Sequence, residues 1–369
     1  MPDWAALRSE FPLLDRCVYL NACSLGPLPR AGMRALSDYT RAWDEMGTPA
    51  WYSDFLPLLE RLRARIAELL GAPPGSVAIT PHASAALTTL ASCLPRSSDR
   101  VVIARDDFPT DGHQWLSRPD VEVDFVEGAA LPSSLAGAGL VCTTHIVFGT
   151  GEVRPAREIC SAAASAGATS LIDGYHACGS IPIDVAAIGC DAYVGGCLKW
   201  LSGGPGTAFL YVRPDLIEEL RPVGTGWFAT REPFSFTTDR LDFAGDARRF
   251  ESGTWPIPSH YAALAGLELI LSVGVDAICA RLGRLTGRII DQCLDAGLEV
   301  MTPLEPERRS GMVTVRCPNG EEVEHRLLEK HVVIDSRPGR IRISPHWSQS
   351  EDEVDEGTAL VLEELRRAG

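Results

Sequence analysis

The chain has 369 residues, 45% of them hydrophobic, with 34 basic and 49 acidic side chains and a formal net charge of −15; this length favours two domains over one and allows a large buried core. An excess of carboxylates with no basic run excludes a surface for phosphate backbones, which needs clustered Lys and Arg, and no window approaches the roughly 18 apolar residues of a membrane span. The opening MPDWAALRSEFPLL lacks a signal-peptide core, and the eleven cysteines stand singly with no CxxC pair, so a cytoplasmic protein with reduced thiols and no metal site is expected.

Along the chain, residues 29–46 and 54–70 carry apolar positions at three- and four-residue spacing, for example Leu59, Leu62, Ile66 and Leu69, which predicts helices. The GAPPG run from Gly71 ends the second. Short apolar runs then alternate with helical stretches: VAIT at Val77, VVIA at Val101, VEVDFV at Val121, LVCTT at Leu140, SLID at Ser170, DAYVGG at Asp191 and TAFLYV at Thr207. Such alternation predicts a mostly parallel, doubly covered sheet whose ligands bind at the carboxyl ends of its strands. Residues 225–258 are loop-rich. Helices are predicted over 259–271 and 275–296, strands at LEVMT, MVTVRC, VVID and IRIS, and a last helix over 351–367. The expected division is an N-terminal segment, 1–28, packing with the small domain; a large domain, 29–260; and a small α+β domain, 261–369.

One compositional bias points to a site. Of the 34 basic residues, 32 are Arg, and only Lys199 and Lys330 are Lys. Guanidinium serves as a solvated charge but cannot act as a nucleophilic amine, so chemistry that needs a free amine must keep Lys. Lys199 lies in GGCLKWLSGGPG, where a strand gives way to a glycine-rich turn. An amine there, partly desolvated, falls below its reference value of about 10.4 and can attack a carbonyl cofactor. Asp173 closes the strand SLID, 26 residues earlier, so both side chains reach one crevice. A strand-end carboxylate suits the ring nitrogen of pyridoxal 5'-phosphate (PLP), whose protonated ring draws electrons from a developing carbanion; the plainer role is a cap for the following turn. Ser84, in ITPHASAALTTLASCL, opens a helix whose N-terminus favours phosphate.

Several segments resemble the class V aminotransferase family of fold-type I PLP-dependent enzymes, and within it the kynureninase branch. YLNACSLG from Tyr19 is similar to that branch's YLDGNSLG, FPTD from Phe108 to its FP(S/T)D, and IDGYHACG to its D-x-A-H-A-x-G; LKWLSGGPG, TGWF from Thr225, RFESGTWPI from Arg249 and VVIDSRPGRIRISP from Val332 continue the likeness over nearly the whole chain. The resemblance implies the PLP-dependent transferase fold, with a seven-stranded large-domain sheet and a smaller α+β C-terminal domain.

It also implies roles. Lys199 would carry PLP as a Schiff base and later take the substrate α-proton as general base. Asp173 would hold the ring nitrogen, His176 would sit beside the ring, and Phe108 would stack on it. Ala83, Ser84 and Asp111 would lie around the cofactor, Ser84 on its phosphate; Trp227, and Thr254 of a neighbouring subunit, would complete the phosphate pocket of a homodimer with shared active sites. Arg342 would take the substrate α-carboxylate, which its planar fork matches; structural ion pairing is the alternative.

The chain departs from the pattern at Leu198, where kynureninases have Tyr and desulfurases and epimerases have His, and at Cys23, which replaces the Asn of NSLG. No Cys lies between Cys317 and Arg342 to serve as the mobile thiol of a persulfide-forming desulfurase. The expected activity is cleavage or elimination at Cβ of an amino acid, C–C or C–S, by a lyase or hydrolase. Transamination and epimerisation are the alternatives, and a non-catalytic protein of the same fold is a further one. A transcription factor would need an added helix-turn-helix module, and a nucleotide-binding protein GxGxxG or GxxxxGK[ST], which GGPG does not match.

Overall fold

A computed structural model describes residues 2–368. After helix α1 (Trp4–Arg8) and the short strand β1 (Val18–Tyr19) come two long helices, α2 (Arg30–Met46) and α3 (Leu56–Leu70). The alternating region follows: β2 (Val77–Thr80), α4 (Ala83–Ala91), β3 (Arg100–Ala104), α5 (Pro109–Leu116), β4 (Glu122–Val126), β5 (Leu140–Thr144), α6 (Ala156–Ala166), β6 (Thr169–Asp173), α7 (Val185–Ile188), β7 (Ala192–Gly196), β8 (Ala208–Val212) and α8 (Pro214–Ile217). The C-terminal part holds α9 (Ile257–Val273), α10 (Val275–Asp295), β9 (Val313–Arg316), α11 (Gly320–Glu329), β10 (Val332–Val333), β11 (Asp335–Arg337), β12 (Arg340–Ile343) and α12 (Glu351–Ala368).

The large sheet has seven strands in the order β2-β8-β7-β6-β5-β3-β4, and β8 alone runs against the others. Apart from the part-exposed edge strand β4, its strands read as largely apolar runs because both faces are covered. Val77, Ile79, Ile172, Tyr193, Phe209 and Tyr211 point into the core shared with α3 and α9. Their alternating neighbours Ala78, Leu171, Val194, Leu210 and Val212 point to the opposite side, with Leu87 and Leu90 of α4. A separate apolar cluster joins Val313, Val315, Ile341 and Ile343 of the antiparallel β11-β12-β9 sheet to Leu285 and Ile289 of α10 and Val354 and Val361 of α12.

The C-terminal region differs from its predicted elements at three places. LEVMT is no strand: it meets β9 only at the bridge from Val300 to Val315, between the positive-φ Gly297 and Pro303. VVID divides, with β10 pairing in parallel with β1 and Asp335 starting β11 in the other sheet. Helix α11 escapes the periodicity reading because GEEVEHRLLE is mostly charged and buries only Gly320, Val323 and Leu327. The N-terminal segment is tied in by β1 and by Leu20, which sits in the C-terminal cluster. Among the described residues no single helix is long and apolar enough to cross a membrane; α9 and α10 together have that composition, but they bend by 82° and bury their apolar faces in the two cores.

Candidate active site

Strands β2, β3, β5, β6 and β7 run the same way, so the segments leaving their carboxyl ends converge on one edge of the sheet. There they line a cavity of about 250 Å³: His82, Ala83, Ser84 and Leu87 after β2, Phe108 and Thr110 after β3, Thr144 ending β5, Asp173, Tyr175 and His176 at and beyond β6, and Leu198 and Lys199 after β7. A larger groove, of about 570 Å³, runs beside the N-terminal segment and the Ser202–Pro205 turn, but its lining is mainly apolar and Arg16 is its one charged residue.

Lys199 is set by a tight turn. The Ser202 N–H donates to Lys199 O at 3.0 Å and the Gly203 N–H to Cys197 O at 2.8 Å, while Ser202 adopts a left-handed φ of 51°. A non-glycine residue there costs on the order of 1 kcal/mol and is kept where its surroundings over-determine it. The N-terminal segment closes over this turn: Gly26 N–H donates to Leu198 O at 3.0 Å, and a Cβ at Gly26 would meet Lys199 O at 1.9 Å, so no side chain is tolerated there. Lys199 Nζ lies at the cavity wall, hydrogen-bonded with His176 Nε2. Burial lowers its pKa from the usual 10.5 to about 7; Arg342 and Arg337 push the same way, and Cys23 and Asp173 oppose it. Burial, then the charges of Lys199, Arg342 and Arg337, holds His176 well below its ordinary pKa, so it is a neutral acceptor.

Asp173 caps the following turn, its Oδ1 accepting the Tyr175 N–H at 2.8 Å, and it also faces Asp111. Asp111 is fully buried in the first turn of α5, and its two carboxyl oxygens have no protein donor. Burial first, then the neighbouring Asp173 and Asp107, raises its pKa well above the carboxylate range. Burial raises Asp173 too, so the pair resists full ionisation, and Asp111 is its more readily protonated member.

A folded pKa raised above its unfolded value favours the fold below the unfolded pKa, and that support is lost as pH rises through the folded pKa. Asp111→Asn should therefore melt with wild type near pH 4, close to the unfolded carboxyl value, and about 2 °C or more above it at pH 7, without added cofactor. A gap that is equal at both pH values would leave the carboxyl's titration out of the stability.

The remaining sequence-derived candidates divide. Phe108 caps α5 and is 43% exposed at the cavity mouth, in edge contact with Phe148 at 5.4 Å. Ala83 and Ser84 line the cavity at the N-terminus of α4, where His82 takes the cap by accepting the Ala85 N–H on Nδ1 at 3.0 Å. Trp227 and Thr254 are not in this cavity: Trp227 packs on Phe228, Phe234 and Phe236 in an exposed aromatic patch. Arg342 is also outside its lining, yet close enough to depress Lys199 and His176. It does make the structural ion pair, donating through Nη2 to Asp335 Oδ2, and donates to Phe148 O at 2.8 Å and Ser24 Oγ at 2.9 Å. Its Nε is buried without a partner.

Sequence reasoning passed over His82, Thr110, Thr144 and Tyr175. Tyr175 had a signal, since IDGYHACG has Tyr where the pattern D-x-A-H has Ala. As a set, a buried amine, two adjacent buried carboxyls, an aromatic face and the N-terminus of a nine-residue helix fit a ligand with a carbonyl carbon, a basic ring nitrogen, a flat face and an anionic end.

The family described as Aminotransferase class-V matches residues 18–346. An "Uncharacterized aminotransferase YcbU" of Bacillus subtilis is 31% identical, covering 94% of each chain. A "Kynureninase" of Deinococcus radiodurans is 32% identical, covering 97% of this chain and 93% of its own. Among solved structures, a mutant of C-DES with glycine covalently linked to its PLP cofactor superposes with a TM-score of 0.89 at 21% identity, over 98% of this chain and 100% of its own.

Proposed function

The chain belongs to the class V aminotransferase family of fold-type I PLP-dependent enzymes, and from that premise we propose that it cleaves a bond at Cβ of an amino acid, as a kynureninase-like lyase or hydrolase. The observation that carries the site assignment is the buried Lys199 amine, held on neutral His176 at the edge of the sheet where Asp173 and Asp111 meet. Its cofactor is PLP, which when bound supplies a carbonyl carbon for amines and a protonated ring that withdraws electrons from the bond being broken.

In this reading Lys199 would hold the cofactor and its amine would take the proton from Cα, a role for which a pKa of about 7 suits it. Asp173 keeps a proton at the ring nitrogen, and Asp111 supplies the second carboxyl of that buried pair. His176 keeps the Lys199 amine turned into the cavity. Phe108 covers the ring face, while Ala83 and Ser84 take the phosphate at the start of α4. Arg342 orients the substrate α-carboxylate, so that the bond to be broken at Cα is fixed relative to the cofactor.

The protein acts as a homodimer in which Trp227, and Thr254 of the neighbouring subunit, complete the phosphate pocket, neither of them lining the Lys199 cavity of a single chain. The eleven free thiols suit a reducing cytoplasm. Cβ cleavage is favoured over transamination by the 32% identity to a protein named kynureninase; transamination is the second reading, supported by the 31% identity to one named aminotransferase.

Purified protein supplied with PLP and a panel of amino acids bearing aryl, acyl and thioether side chains separates the two. Alanine or pyruvate as product is expected. A keto acid that retains the intact side chain would overturn Cβ cleavage in favour of transamination.

A further inference from the structure

Lys199 has a second contact besides His176. Its Nζ stands over the face of the Tyr175 ring, 5.0 Å from the ring centre. An ammonium in that position is attracted by the negative face of the ring, the more so where water is excluded. Tyr175 is built into the place. Its N–H is held by Asp173 Oδ1, and its ring lies on the bare backbone of Gly196, where a Cβ would come within 2.2 Å of Tyr175 Cε2. Burial raises the phenol pKa, so the ring stays neutral.

We infer that Tyr175 is a positioning residue, whose ring face, with His176 Nε2, docks the Lys199 ammonium and keeps the free amine in the cavity between proton transfers. The inference rests on the assignment of Lys199 as the cofactor lysine. Its physical content is a titration. Burial, Arg342 and Arg337 drive the amine toward its neutral form, Cys23 and Asp173 toward its charged form, and His176 accepts its proton without charge of its own. The Tyr175 ring adds a further attraction for the charged form.

The chain's composition makes this measurable, because Lys199 and Lys330 are its only lysines and Lys330 is tied to Glu364 at 2.6 Å, far along the sequence on α12. The full-length protein, stripped of cofactor, is acylated with acetic anhydride over a range of pH, and the two lysines are quantified by mass spectrometry with Lys330 as the internal reference. Tyr175→Leu should lower the Lys199 midpoint, giving about three- to tenfold more Lys199 acylation than wild type at a pH below that midpoint. Tyr175→Phe keeps the ring and should titrate like wild type. Gly196→Ala displaces the ring with Tyr175 still present and should reproduce the Leu variant; it carries the test if Tyr175→Leu does not fold.

A Leu or Gly196→Ala midpoint equal to wild type, or a Phe variant shifted as far as Leu, overturns the inference. Added PLP keeps the two readings apart. If wild type takes it up and the midpoints do not move, the dock alone fails; if the midpoints move but wild type takes up no PLP, the cofactor assignment fails and the amine–ring contact stands.

Discussion

Lys199→Ala is expected to lose covalent attachment of PLP altogether and to turn over its amino-acid substrate about 10³-fold or more slowly than wild type. The size follows from two roles falling on one nitrogen. Lys330, the other lysine, is half-exposed and paired with Glu364, so it cannot substitute. The charges of exposed Arg337 and buried Arg342 are guanidiniums, too basic to replace a neutral amine. The check is visible absorbance on adding PLP, its loss on borohydride reduction in wild type, and the absence of any reduced adduct in the variant. A reduced adduct mapping to Lys330 in wild type would sink the assignment of Lys199. In wild type, a base with a pKa of about 7 gives a rate that rises as pH passes through that value and the amine sheds its proton; a rate falling over the same interval would give the proton transfer to another group.

How far the sequence anticipates this site depends on what each residue's neighbours in the chain reveal. The strands of the large sheet are readable because both faces are buried and VAIT, LVCTT and TAFLYV are apolar throughout. The convergence of Asp173, His176 and Lys199 follows from their lying at or just past the ends of parallel strands. Helix α11 and the division of VVID are set by tertiary partners: Val323 and Leu327 find their core only in the folded C-terminal cluster, and β10 finds its partner 314 residues away at β1. The raised pKa of Asp111 is equally invisible in FPTD, since it comes from burial in the folded core and then from Asp173, 62 residues further along. Tyr175 stands in plain sight inside IDGYHACG, but its use depends on Gly196 leaving room for the ring.

Arg342→Lys should raise KM for the amino-acid substrate about 100-fold or more, while leaving PLP uptake as in wild type. The opposing reading is a real feature of the molecule, for Arg342 is buried and its Nη2 is bound to Asp335. Its Nε, by contrast, is buried and unpartnered, so that side of the guanidinium is not used by the pair. Asp335 is also not committed to Arg342 alone: its Oδ1 accepts from Arg337 Nη1 at 2.5 Å and its Oδ2 from Ser24 Oγ at 2.8 Å. In the proposed role a substrate carboxylate would take the Nε side of the guanidinium while Asp335 keeps compensation from Arg337. Lys in place of Arg342 retains the charge for Asp335 but loses the planar fork, so stability should change little and substrate binding much. Steady-state kinetics beside thermal melting tests this split: a variant with unchanged KM and a lowered melting temperature would make Arg342 a strut for β11 and β12 and leave the carboxylate contact to be found elsewhere.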